Sequence, residues 1–118
     1  IAPGVVAVAA PGHSAGTIVI YVKTAAREYL FIGDIAWVMS SIENLHGRPR
    51  AISMFLPGVD PDRPAVLRQL RALHDLQAAE PDLVIVPAHD ADYLQGLVET
   101  GALQAEFIVP TQEQPPVP

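Results

Sequence analysis

Val5-Val6-Ala7-Val8-Ala9-Ala10-Pro11-Gly12-His13-Ser14-Ala15-Gly16-Thr17-Ile18-Val19-Ile20-Tyr21-Val22 reads as two apolar runs separated by a short polar turn. The small and β-branched residues of Val5 to Ala9 have the composition of a strand buried on both faces, and Pro11-Gly12 stops it. Thr17 to Val22 has the densest β-branched content of the chain, so it is the strongest strand signal. Outward from this pair, Lys23 to Arg27 forms a polar connection. Glu28-Tyr29-Leu30-Phe31-Ile32 returns as the hairpin partner, ended by Gly33-Asp34. Farther along, Leu83-Val84-Ile85-Val86 is a short buried strand that runs into Pro87-Ala88-His89-Asp90.

Helices fill the intervals. Asp62 is placed to cap a helix with Pro64 in its first turn. Val66, Leu67, Leu70, Leu73 and Leu76 recur at helical spacing opposite Arg63, Arg68, Arg71 and Asp75, which predicts an amphipathic helix to about Ala79, ended by Pro81. Ala91 to Thr100 reads as a second helix with Gly101 at its C-cap. Ile35 to Pro61 is irregular, with Trp37, Met39 and Phe55 as apolar anchors among Gly47, Pro49, Pro57, Gly58 and Pro61. It reads as mainly loop with one short helix around Ser40 to Leu45. The fold class expected is mixed α/β, in one domain. Residues 110–118, with Pro110, Pro115, Pro116 and Pro118, are expected to be an extended or disordered tail.

The composition narrows the functional classes. The chain has 118 residues, 50% hydrophobic, with 13 acidic against 7 basic side chains and a formal charge of −6, so its mean field repels phosphate backbones and anionic membranes. Cysteine is absent, which removes disulfides, thiolate metal sites and a cysteine nucleophile and leaves His, Asp and Glu for any metal. The apolar runs are shorter than the roughly 20 residues of a bilayer span. Ile1 stands where an initiator Met is expected and no basic residue precedes the apolar start, so the left edge reads as cut, without a signal peptide; a cytoplasmic location is expected.

His13, Asp34 and His89 share one setting: each follows a short apolar strand, in a turn marked by Gly or Pro. Such turns converge when their strands belong to one sheet, and neutral imidazoles with a carboxylate suit zinc, manganese or ferrous iron. Helix caps and surface turns are the other reading of the same residues. Asp90 either orients His89 or caps the helix that follows, and Asp92 is open to the same two readings. His46 reads as a turn residue and His74 as a boundary residue of the leucine stripe. Arg48 and Arg50 read as a solvated loop pair able to meet an anionic group.

Pro11-Gly12-His13-Ser14-Ala15-Gly16-Thr17, Tyr29-Leu30-Phe31-Ile32-Gly33-Asp34 and Ile85-Val86-Pro87-Ala88-His89-Asp90 resemble, in order, the later motifs of the metallo-β-lactamase fold. The resemblance runs from about Val5 to Asp92. It implies an αββα sandwich of which residues 1–109 are the C-terminal half. His13 is then the third histidine of a first metal, Asp34 the carboxylate bridging two metals, and His89 the histidine of the second. Trp37 stands near where lactone-hydrolysing relatives place an aromatic at the substrate pocket. The family's His-x-His-x-Asp-His motif is absent, since no two of His13, His46, His74 and His89 have His-x-His spacing. Each metal would draw only one histidine and a shared carboxylate from this chain, below the three protein ligands usual for catalytic zinc.

The expected function is therefore the C-terminal part of a zinc-dependent hydrolase, with two ions in the complete domain and manganese or iron as other candidates. A metal-activated water would attack an ester, lactone or amide carbonyl of a small molecule. The isolated chain is expected to be inactive. Half a sandwich also exposes one sheet face, which calls for an N-terminal half from a separate chain or segment, or for a second copy. Two further readings stay open: a non-catalytic, structural or self-associating module, and a weak one-metal hydrolase using His13, Asp34 and His89.

Overall fold

The computed structural model describes residues 2–106; the Pro-rich tail expected at 110–118 lies outside them. The four strands are β1 (Val5–Ala9), β2 (Ile18–Lys23), β3 (Glu28–Gly33) and β4 (Val84–Pro87). The helices are α1 (Met39–Glu43), α2 (Arg50–Phe55), α3 (Arg63–Ala79) and α4 (Ala91–Glu99). They build the expected mixed α/β architecture around one sheet of order β1-β2-β3-β4. β1 and β2 pair antiparallel, β2 and β3 antiparallel, and β3 and β4 parallel. The parallel step requires a crossover, and α3 is its longest helix, after α1 and α2.

Strand alternation sorts the side chains onto two faces. Leu30 pairs with Tyr21 and with Ile85, so these residues share a face with Ile32 and Val19. That face meets Ile35, Met39, Ile42, Val66, Leu70 and Leu73 in the core, where Ile32 and Ile42 are fully buried. The α3 stripe is as read from the sequence except at Leu67, which is 42% exposed. Asp62 caps α3 by accepting from the Ala65 N–H at 3.0 Å. Gly101 follows α4 with φ +69°, the left-handed stop that glycine adopts without a Cβ clash.

The opposite face carries Ile18, Ile20, Val22, Tyr29 and Phe31, none of them in the core. The segment after α4 approaches it, where the Tyr29 hydroxyl donates to the Ala102 carbonyl at 2.7 Å.

Two expectations are corrected. β1 is not buried on both faces: it is the edge strand, with Val6 51% and Val8 54% exposed. Its composition matches a central strand, but helix cover stops before the edge. The 35–61 stretch also holds a second short helix, α2, between Pro49 and Pro57, with Met54, Phe55 and Leu56 exposed. Phe55 is accordingly no core anchor.

Truncating Ile32 to Ala should cost about 2–5 kcal/mol in urea unfolding, because the cavity lies between sheet and helices. Val8→Ala at the open edge should cost less than about 1 kcal/mol.

Candidate functional site

Two antiparallel steps followed by a parallel one make β1, β3 and β4 run in the same direction. Their C-terminal ends therefore lie along one edge of the sheet, and His13, Asp34 and His89 occupy the turns that leave it. His89 Nε2 lies 2.8 Å from Asp34 Oδ1, and His13 Nε2 lies 3.9 Å from Asp34 Oδ2. One carboxylate thus stands between two imidazoles from turns 21 and 55 residues away in the chain.

Backbone chemistry sets these positions. A Cβ at Gly12 would come within 3.2 Å of Val66 Cγ2 and 3.3 Å of Ala65 Cβ, so glycine lets the His13 turn press against the start of α3. Its carbonyl accepts from the Asp62 N–H at 3.2 Å. Gly33, with φ +53°, turns the chain out of β3 immediately before Asp34.

Behind His13 stands a buried ion pair. Arg48 Nη2 lies 2.8 Å from Asp60 Oδ1 and 2.9 Å from His13 Nδ1, and it also donates to the Asp34 carbonyl. Arg48 Nη1 donates to the Ile35 carbonyl at 3.2 Å, and His13 Nδ1 is 2.9 Å from Asp60 Oδ1. Burial pushes the Arg48 pKa below the usual guanidinium value, against the opposing pull of Asp60 and Asp34. Asp60 takes a left-handed backbone, φ +52°, which Asp tolerates better than most side chains. Arg48 also lies over the Trp37 ring, 4.9 Å from its centroid, and His89 meets the same ring edge-on at 5.5 Å. The His89 N–H donates to the Trp37 carbonyl at 3.1 Å.

Of the other polar candidates only Arg48 belongs to this cluster among the described residues. Asp90 caps α4 through the Tyr93 N–H and takes the Met39 N–H at 2.8 Å, so of its two readings capping is the one with hydrogen bonds. Asp92 is exposed in the first turn of α4. His46 is exposed, and His74 Nδ1 meets the Ile42 carbonyl at 3.1 Å. Arg48 is no solvated loop residue, being 6% exposed, whereas Arg50 is exposed. Asp60 was not singled out from the sequence. Its only local mark is its place in the breaker-rich run Pro57-Gly58-Val59-Asp60-Pro61, which signals a turn and nothing about His13.

No protein-family model and no curated protein matches the chain. Solved structures do match. One is an N-acyl homoserine lactone hydrolase with the product N-hexanoyl-L-homoserine bound at its catalytic metal centre; another is the B. thuringiensis AiiA mutant F107W with N-decanoyl-L-homoserine bound at the active site. Each aligns with a TM-score of 0.60 at 21% identity over 81% of this chain. The chain has part of the metallo-β-lactamase fold. It spans 34% of the length of each of these neighbours, about a third of that architecture.

The donor set suits a portion of a metal centre in this fold. His13 Nε2 with Asp34 Oδ2, and His89 Nε2 with Asp34 Oδ1, make two nitrogen–oxygen pairs that share one carboxylate. Neither pair reaches three protein ligands, and among the described residues no group of three His, Asp or Glu side chains is gathered to hold one ion.

Replacing Arg48 by Ala should destabilise the chain by about 3–5 kcal/mol in urea unfolding, since it strands the buried Asp60 carboxylate. Arg50→Ala, two residues away and exposed, should stay within about 0.5 kcal/mol.

Proposed function

We propose that the chain is the C-terminal part of a metal-dependent hydrolase of the metallo-β-lactamase fold, acting on a small ester or lactone. The meeting of His13 and His89 on opposite oxygens of Asp34, at the strand ends of this fold, supports the reading. His13 with Asp34 would hold one ion and His89 with Asp34 a second, zinc by the imidazole-and-carboxylate character of the donors. Such ions supply a hydroxide at neutral pH and polarise a carbonyl oxygen. Trp37, packed against His89, would contact the substrate. Two-donor pairs do not complete a catalytic centre, so the chain alone is inactive and an N-terminal half supplies the remaining ligands. The open sheet face of Ile18, Ile20, Val22 and Phe31 is where that half packs, as the second sheet of a sandwich.

The same open face favours one other reading, a non-catalytic module that associates with its own copy. Native mass spectrometry separates the two: an added N-terminal chain with two metals supports the hydrolase, and a metal-free self-dimer supports the module.

Zinc titration followed through the histidine ring signals tests the site itself. His13 and His89 should shift together while His46 and His74 stay in place, and Asp34→Ala should weaken the response at least about tenfold, by analogy with lost ligand support. An equal response at His46, or an undiminished one in Asp34→Ala, would remove the basis of the proposal.

A further inference from the structure

The hydrogens around Arg48 can be counted, and the count assigns a protonation pattern to the site. Arg48 Nη2 carries two hydrogens. Three atoms lie within its reach: the Asp34 carbonyl, Asp60 Oδ1 at 2.8 Å and His13 Nδ1 at 2.9 Å. Of these, a carbonyl and a carboxylate oxygen can only accept, whereas an imidazole nitrogen can also donate. If Nη2 gave one of its hydrogens to His13 Nδ1, the other could serve only one of the two oxygens, and either the Asp34 carbonyl or Asp60 Oδ1 would receive none. Asp60 Oδ2 already lacks a partner among the described residues, and the side chain is fully buried. A buried carboxylate with both oxygens idle is the costliest arrangement available.

We infer that Asp60, paired with Arg48, is a positioning residue that takes the Nδ1 proton of His13 and leaves the His13 Nε2 lone pair facing Asp34. His13 Nδ1–H then donates to Asp60 Oδ1 across 2.9 Å, and both oxygens within reach of Arg48 Nη2 have a hydrogen. On the other side of Asp34 the pattern reverses. His89 Nε2 is 2.8 Å from Asp34 Oδ1, an acceptor, so in the metal-free chain His89 carries its proton on Nε2. The two imidazoles flanking one carboxylate are opposite tautomers. His13 Nε2 and Asp34 Oδ2, 3.9 Å apart, are both electron-pair donors with no proton between them, an arrangement that favours a cation there. The cation rests on the function proposed above; the tautomer rests only on the hydrogen count.

The test is long-range 1H–15N correlation of the histidine rings in the metal-free chain at about pH 8, above the ordinary imidazole range. His13 should appear as the Nδ1–H tautomer and His89, as an internal reference, as the Nε2–H tautomer. An Nε2–H signature at His13 overturns the inference. In a folded Asp60→Ala chain, His13 should move to Nε2–H, and zinc affinity read at His13 should fall about 10- to 100-fold. An unchanged tautomer there also overturns it. Asp60→Asn keeps the shape and an acceptor oxygen, so it guards against loss of fold. The His13 Nδ1 proton should move upfield as the acceptor loses its charge, and an unmoved proton counts against the inference. A correct tautomer with no zinc response at His13 would refute the metal reading and leave Asp60's role standing. Zinc binding at a His13 of the wrong tautomer would do the opposite.

Discussion

Two of the three turns that carry His13, Asp34 and His89 are tied together through the buried guanidinium of Arg48. Its Nη1 and Nη2 reach the turn after β3 through two carbonyls, the turn after β1 through His13, and the segment entering α3 through Asp60. An isolated cation so far from water would be prohibitively unfavourable, so the site forms only when all of these partners arrive together. A lysine could not substitute, because a single ammonium lacks the planar fork that addresses several acceptors in fixed directions. The pair is a modest contributor to stability for a buried one, with Arg48 Nε and Asp60 Oδ2 both unpartnered among the described residues. What it fixes is arrangement.

The sheet provides the frame for that arrangement. Strand direction places three turns at one edge, and helix cover on a single face supplies the core that holds the strands in register. The two faces have different fates. One is closed by α1 and α3; the other keeps an apolar surface whose complement in this architecture is a second sheet. Under the proposed function, metal chemistry and packing make the same demand, since a partner covering the face would also bring the ligands that Asp34 and the two histidines lack.

Much of this was legible in the residues, and the exceptions have physical causes. His13, Asp34 and His89 could be grouped because strand-end turns advertise themselves through Gly and Pro, although a polar residue in such a turn also has ordinary reasons to be there, as a cap or a surface residue. β1 was misjudged because Val and Ala alternate with nothing polar, and local composition cannot tell the centre of a sheet from its rim. α2 was hidden between Pro49 and Pro57, where breakers flank a helix of only six residues. Arg48 and Asp60 escaped for a different reason. Each is ordinary in its own neighbourhood, and their meaning lies in contacts with residues up to 47 positions away. Hydrophobic periodicity carries no record of a through-space pair.

The same pair has a consequence for the segment between its members. Residues 49–59 leave from Arg48 and return to Asp60, so both ends are clamped beside His13 while α2 and the residue after it carry Met54, Phe55 and Leu56 into solvent. Lengthening such a clamped excursion costs only about 0.6 kcal/mol per doubling of loop length. Its exposed residues can change in number and character without touching the histidines, which makes this excursion a cheap place for divergence to accumulate.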